Sequence, residues 1–303
     1  MSYQLVQLAN GTQTLYSADY AEKMHPGLGP QAEADLLYVR QLNIPERMRD
    51  GAGEFVIWDV GLGAAANAIA VLRATREIPR PLRLVSFDNS AEPLEFALKN
   101  SAALGYLAGY EEQLAELLRA GRMEFANGKS RVNWEFHLGD FPALISRSSR
   151  GDEAQIKFRI QSEPPHVGSY KFPSPHAVLF DAFSPVKNPA MWTLPLFADL
   201  FRALGPARPC ALTTYSRSTL LRVTLLLAGF FVGTGRATGL KEETTVAANS
   251  LDLIAQPLDA RWLERARRSH SAEPLVDAVH RKTPLSAGSW EHLQNHPQFK
   301  LQP

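Results

Sequence analysis

The chain is predicted to be an α/β protein built on a doubly wound, mostly parallel sheet that ends in an antiparallel hairpin. Two observations carry this reading. Short runs of β-branched and aromatic residues alternate along the middle of the chain with helical stretches, and several of the runs stop at an acidic residue or a glycine turn. Strands joined through helices in one sheet use right-handed crossovers, which makes the strands parallel and puts helices on both faces.

The elements follow in order. Phe55-Val56-Ile57-Trp58-Asp59-Val60 is the first strand, and residues 64–75, rich in alanine, form a helix after the glycine turn. Residues 82–87 are the second strand, ending at Asp88, with a helical run over 91–104 behind it. Residues 111–120 form an amphipathic helix with Leu114, Leu117 and Leu118 on one face. Residues 134–138 are the third strand, closed by Gly139-Asp140; residues 177–180 the fourth, ending at Asp181; and residues 210–215 the fifth. A helix over 216–228 and strands at 229–232 and 244–249 complete the sheet. A closing hairpin is the pattern of class I, Rossmann-like methyltransferases, whereas nicotinamide-binding folds usually stay parallel to the end.

Two regions fall outside this scheme. Residues 151–175 carry several prolines and read as a long insertion before the fourth strand, the kind of loop that is usually functional or disordered. From residue 251 a basic extension begins, with Arg261, Arg265, Arg267 and Arg268 mostly on one helical face; such a face is more often solvated than binding.

Composition narrows the class. At 303 residues and 45% hydrophobic, the chain can bury a sizeable core, which excludes disorder as its main state. A single cysteine, Cys210, excludes a disulfide-stapled module and a cysteine-ligated zinc domain. Neither a basic segment followed by an apolar run at the N-terminus nor an apolar run of about 18 residues is readable, which points to the cytoplasm. The net charge of +1 speaks against a nucleic-acid partner, yet it conceals a polarity: residues 1–100 sum to −3 and residues 201–303 to +5.

The chemistry gathers at the strand ends. Asp59-Val60-Gly61-Leu62-Gly63-Ala64-Ala65-Ala66-Asn67 places glycines where a strand meets a helix, so a ligand can approach backbone N–H groups at the helix N-terminus. A dinucleotide fingerprint would want a third glycine at Ala66, and a tight turn with no ligand is the bland alternative. Asp88, 25 residues after Gly63, lies where a carboxylate accepts two ribose hydroxyls, and Asp140 is placed to accept from an adenine amino group. Asp59, Asp88 and Asp140 at successive strand ends suit S-adenosylmethionine, which has no phosphate to repel, better than a pyrophosphate cofactor. Each alone would also serve as a helix cap. Beyond the fourth strand, Asp181-Ala182-Phe183-Ser184-Pro185-Val186-Lys187-Asn188-Pro189-Ala190-Met191-Trp192 combines a carboxylate, a cation, an amide and aromatics, and should floor the acceptor side of the site.

That last run resembles the D-G-F-[AS]-P-x-K-N-P-x-[ML]-W segment of the methyltransferase domain of the tRNA 5-methylaminomethyl-2-thiouridine biosynthesis protein MnmC and its stand-alone MnmD homologues. Other pieces agree in order: His25-Pro26-Gly27-Leu28-Gly29-Pro30-Gln31-Ala32-Glu33, the Asp59 to Asn67 turn, Ser86-Phe87-Asp88, Gly139-Asp140, Thr214-Tyr215, and Gly239-Leu240-Lys241-Glu242-Glu243-Thr244. The resemblance covers roughly residues 10–250. It implies a class I methyltransferase that uses S-adenosylmethionine to methylate the primary amine of 5-aminomethyl-2-thiouridine at the tRNA wobble position, with tRNA as partner and no metal. It further implies cofactor contacts from Asp59, Gly61, Gly63, Asn67, Asp88 and Asp140, with Asp181 catalytic, and substrate contacts from Glu33, Pro185, Lys187, Asn188, Trp192 and Lys241. The corresponding organisation is an N-terminal segment over residues 1–50 covering the site, a methyltransferase domain over 51–250, and the extension over 251–303. Phosphate contacts are expected from Lys187, Lys241, Arg217, Arg222 and the tail arginines. Two alternatives stay open: a methyltransferase or aminopropyltransferase acting on a small amine, and a non-catalytic tRNA-binding scaffold. Ala182 and Ala65 stand where the family has glycine, which matters only if those positions need a positive φ.

Overall fold

The structure, a computed structural model, describes residues 2–146, 172–238 and 242–300. Among these residues, β1 (Tyr3–Gln7), β2 (Gln13–Ser17) and β3 (Glu22–Lys23) make a small antiparallel sheet. A central sheet of eight strands is made by β4 (Phe55–Val60), β5 (Leu82–Asp88), β6 (Arg122–Asn127), β7 (Ser130–Leu138), β8 (Ala177–Phe180), β9 (Ala211–Thr214), β10 (Phe231–Gly235) and β11 (Thr244–Ala248). Its order is β10-β11-β9-β8-β4-β5-β7-β6. Strands β9, β8, β4, β5 and β7 are parallel, and β10 and β11 close the sheet as the antiparallel hairpin that the sequence predicts.

Alternation along each strand divides the core. Phe55 and Ile57 of β4 pack on one face with Leu84, Trp134 and Leu179, under helices Ala66–Thr75 and Glu111–Ala120. Val56, Trp58 and Val60 pack on the other with Phe87, Phe180 and Leu212, under helices Leu194–Ala203 and Thr219–Leu227. The register decides where the chemistry sits. Val60 pairs with Phe87 on one side and Phe180 on the other, so Gly61, Asp88 and Asp181 leave the sheet at one level. The chain connects β4 in opposite directions to β5 and, later, to β8, which makes the gap between β4 and β8 the switch point where open α/β sheets bind ligands.

Several expectations are corrected. The helix over 91–104 breaks at Asn100 into Glu92–Lys99 and Ser101–Leu104. Strand β10 starts at Phe231 rather than 229, because Gly229 at φ +105° ends the preceding helix and Phe230 turns into the core. Two hairpins add to the predicted elements: β6 returns along β7 through Asn127-Gly128, and β1 meets β2 across Asn10-Gly11. Both carry the Asn-Gly signal of tight hairpins. Of the insertion at 151–175, residues up to 171 lie outside the described residues; Phe172 packs edge-on against Trp58 and Phe87, and the Pro173 carbonyl accepts the Trp58 indole N–H at 3.0 Å.

The C-terminal extension is part of the fold. Helix Ala260–Arg267 buries Trp262, Leu263 and Ala266 against the second core. Gln298, fully buried, accepts from the Val232 N–H at 2.7 Å and donates to the Val232 and Leu258 carbonyls, which covers the outer edge of β10. Among the described residues no helix is long and apolar enough to cross a membrane.

Candidate active site

The glycine turn is shaped for close approach. Gly61 sits at φ +93°, and a Cβ there would lie 2.6 Å from the Asp181 carbonyl oxygen, so any side chain would collide with the backbone of the neighbouring strand. Gly63 at φ +52° donates its N–H to Asp88 Oδ2 at 2.8 Å. Ala65, at the start of helix Ala66–Thr75, is also left-handed, at φ +62°. The position that the family fills with glycine therefore does need a positive φ, and alanine holds it at a cost of roughly 1–2 kcal/mol. Ala182 shows no such conformation.

Beside this turn lies a cavity of about 380 Å³. Of the residues expected at the cofactor, Gly61, Gly63, Asn67, Asp88 and Asp140 line it; of those expected at the acceptor, Asp181, Asn188 and Glu33 do. Burial raises the carboxyl of Asp88, an effect that the N–H groups of Gly63, Ser90 and Asn89 oppose. Asp140 also accepts from the Ala143 N–H at 3.1 Å, capping the helical turn after β7.

The remaining expected residues take other places. Asp59 lies behind the turn, fully buried; its Oδ2 accepts from the Ser86 hydroxyl, which accepts from the Trp134 indole, while Oδ1 has no partner among the described residues. Burial pushes this carboxyl up to about 7. Trp192 is a core residue, donating its indole N–H to the Phe183 carbonyl at 2.7 Å and so supporting the acceptor loop from beneath. Pro185 and the exposed Lys187 belong to a turn whose carbonyl at Ser184 accepts from the N–H groups of Lys187 and Asn188, outside the cavity wall. Lys241 lies outside the described residues. Glu33 faces the cavity with its carboxylate committed, since Oε1 accepts from the N–H groups of Gly27 and Leu28. Arg222 is buried among Thr245, Thr244 and Glu243, which makes it a structural cation rather than a phosphate contact.

Asp181 is held in the wall from the helix after the glycine turn. Its Oδ2 accepts from Asn67 Nδ2 at 2.8 Å, and His25 Nε2 lies 3.8 Å from the same oxygen. Tyr38, on a π-helical turn at Asp35–Arg40, donates its hydroxyl to the adjacent Phe180 carbonyl at 3.4 Å and lies close enough to feel the Asp181 charge. Burial first, then the Asp181 charge, raises the Tyr38 and Tyr215 phenols well above their ordinary value, so both stay protonated.

Sequence reasoning misses most of the N-terminal contribution. Tyr3, Tyr20, Glu22, Met24 and His25 come from the small sheet and its turns to line the cavity. Tyr20 stacks on Phe183 at 4.0 Å between centroids, and Glu22 accepts from both the N–H and the hydroxyl of Ser184, so this sheet is fastened to the acceptor loop. The motif from His25 to Glu33 holds a hint of this; Tyr20 and Glu22 carry no local signal.

The wall fits an adenosyl sulfonium. Carboxylates stand at the ends of β5 and β7 for hydroxyl and amino donors, bare backbone faces the cavity at Gly61, and the acidic lining suits a cation. Residues 160–250 match the family described as S-adenosyl-L-methionine-dependent methyltransferase. The chain is 25% identical over 268 residues to the tRNA 5-methylaminomethyl-2-thiouridine biosynthesis bifunctional protein MnmC of Aeromonas salmonicida, covering 84% of this chain and 37% of that protein. It is 26% identical over 292 residues to the protein of the same name from Burkholderia vietnamiensis, covering 91% and 38%. It thus spans a little over a third of the length of these relatives. The crystal structure of MNMC2 from Aquifex aeolicus shares the fold, with a TM-score of 0.65 and 22% identity over 97% of this chain and 83% of that one. In fold the chain matches the MNMC2 structure, over residues 160–250 it matches a family of S-adenosyl-L-methionine-dependent methyltransferases, and in sequence it is similar over most of its length to part of MnmC, as its motifs imply.

Proposed function

We propose that the chain methylates a primary alkylamine on a tRNA wobble uridine, turning 5-aminomethyl-2-thiouridine into 5-methylaminomethyl-2-thiouridine. The observation that carries this reading is the carboxylate of Asp181, fixed by Asn67 in the cavity wall beside Gly61 while Asp88 and Asp140 occupy the far strand ends. The name of the curated relatives supports the wobble nucleoside as acceptor.

S-adenosylmethionine supplies, when bound, a methyl group already made electrophilic by its sulfonium. Asp88 would accept from the ribose hydroxyls, Asp140 from the adenine amino group, and Gly61, Gly63 and Asn67 would face the methionine portion. An alkylamine is an ammonium near neutral pH and has no lone pair to attack with. Asp181 both orients it and takes its proton, a role typically worth about 10²–10⁴ in rate. The N-terminal residues 1–50 act as the cover, excluding water and fixing the in-line approach. A wobble base already stands unpaired in its loop, so no duplex has to be opened. Exposed Arg261, Arg265 and Arg268, together with Lys187, are the phosphate contacts of this reading.

The test is transfer from labelled S-adenosylmethionine to hypomodified tRNA and, separately, to free amines. Label in the wobble nucleoside supports the proposal. Label only in small amines moves the chain to a small-amine methyltransferase, an aminopropyltransferase being marked by transfer of the aminopropyl group instead. Cofactor binding without any transfer would leave a tRNA-binding scaffold.

A further inference from the structure

His25 reaches the cavity on a backbone that few side chains adopt. Its φ is +50°, in the left-handed region that non-glycine residues rarely occupy. The chain is pinned on both sides of it. Before it, the Met24 N–H donates to the Leu15 carbonyl at 2.8 Å and the Thr14 hydroxyl donates to the Met24 carbonyl. After it, the N–H groups of Gly27 and Leu28 both donate to Glu33 Oε1. Strain of this kind persists where the surroundings over-determine it, and it gathers at functional sites. The effect here is to hold the imidazole Nε2 3.8 Å from Asp181 Oδ2, with side-chain exposures of 13% and 18% for the two residues.

The other groups that face Asp181 are unsuited to receive a proton from it. Asn67 donates an amide N–H to it from the helix below. Tyr38, from the π-helical turn, and Tyr215, after β9, stay protonated. Glu22, from β3, is bonded to Ser184, and Glu33 to the loop that carries His25. Only the imidazole among these has a basic nitrogen turned to the carboxylate and a second one through which a proton can leave.

We propose that His25 carries the acceptor's proton from Asp181 out of the covered cavity, an inference that rests on the amine methylation proposed above. The steps balance. An N–H bond of the ammonium breaks and its proton goes to the Asp181 carboxylate. The freed lone pair forms the N–CH3 bond as the CH3–S bond breaks, its electron pair remaining on sulfur. Asp181 then passes its proton to His25 Nε2, the 3.8 Å between them closing to a hydrogen bond or bridged by one water; the imidazolium releases one from Nδ1 to water, and proton exchange with solvent returns the ring to its Nδ1–H tautomer. The secondary ammonium product, the neutral thioether and one released proton account for the charge. His25 touches Asp181 rather than the reacting atoms, so its part is to reset the carboxylate for the next turnover.

The experiment uses His25→Gly, which suits the left-handed backbone and leaves room for free imidazole, and His25→Asn, which tolerates the same backbone without a basic nitrogen. Both are assayed on hypomodified tRNA across pH 7 to 9, with cofactor affinity measured by calorimetry on the same proteins. The expected result is a fall in kcat of about tenfold or more, the lower end of proton-transfer effects, in both variants. KM and cofactor affinity should stay within about twofold, imidazole should restore His25→Gly saturably, and the deficit should shrink as pH rises. Unchanged kcat in His25→Gly overturns the proposal and leaves the methylation reading standing. So does a loss that imidazole does not restore and that cofactor affinity follows. Absence of methyl transfer by the unaltered chain overturns both.

Discussion

At the scale of single residues the site depends on backbone as much as on side chains. Gly61 is required twice over, by its φ of +93° and by the Asp181 carbonyl 2.6 Å from where a Cβ would stand. Strands β4 and β8 are held together by their pairing at this point and cannot separate to make room. Gly61→Ala is expected to cost about 1–3 kcal/mol of stability in denaturant unfolding, with a cofactor affinity by calorimetry at least tenfold weaker. Asp59 makes a separate prediction. Its buried carboxyl is raised to about 7 in the folded chain against an ordinary 3.8, so the folded state binds this proton more tightly than the unfolded one. The Asp59 contribution is therefore lost as pH rises from about 4 through about 7. Thermal unfolding of Asp59→Asn beside the unaltered chain should show the variant gaining relative Tm between pH 5 and pH 8; parallel curves would contradict it. The glycines, Asp88, Asp140 and Asp181 are legible in the sequence because each follows a recognisable strand. Asp59 and Trp192 are not, since a motif records which residues occur together and not which way each points. In β4 the alternation turns Asp59 beneath the helix, to the same face as Ile57.

At the scale of elements, parallel strands buried on both faces announce themselves as short runs dominated by apolar and β-branched residues, which is why β4, β5, β8 and β9 are readable. Edge and surface strands lack that signature. β6 alternates exposed and half-buried residues, and β1 to β3 are short, so their Asn-Gly turns are the available signal. The far edge, β10, is covered by the C-terminal extension through Gln298, whose amide bonds Val232 N–H and two carbonyls. Gln298→Ala leaves the buried Val232 N–H without its partner and should destabilise the chain by about 1–3 kcal/mol in denaturant unfolding. A change within error would mean that the extension is only loosely associated with the sheet.

Across the whole molecule the near-zero net charge resolves into two surfaces. The carboxylates of the cavity wall belong mainly to the first two thirds of the chain, and the last third carries the excess of arginine. Of the tail arginines, Arg267 lies over the Trp290 ring at 4.9 Å and helps seat helix Ala287–Gln294. Arg261, Arg265 and Arg268, at i, i+4 and i+7, keep a common exposed face. Replacing these three by glutamine should weaken tRNA binding and reduce the slope of log K against log salt by about 2–3, close to one for each phosphate no longer neutralised; an unchanged slope would assign the face to solvent. Whether Asp181 serves the acceptor amine and not the cofactor is decided by a paired measurement. Methyl transfer to the wobble nucleoside of hypomodified tRNA and affinity for S-adenosylmethionine are followed side by side for the unaltered chain and for Asp181→Asn. The expected result is transfer by the unaltered chain, a loss of at least about a hundredfold in the variant, and cofactor affinity within a few-fold. Equal loss of transfer and affinity, or no label in the wobble nucleoside with the unaltered chain, would contradict it.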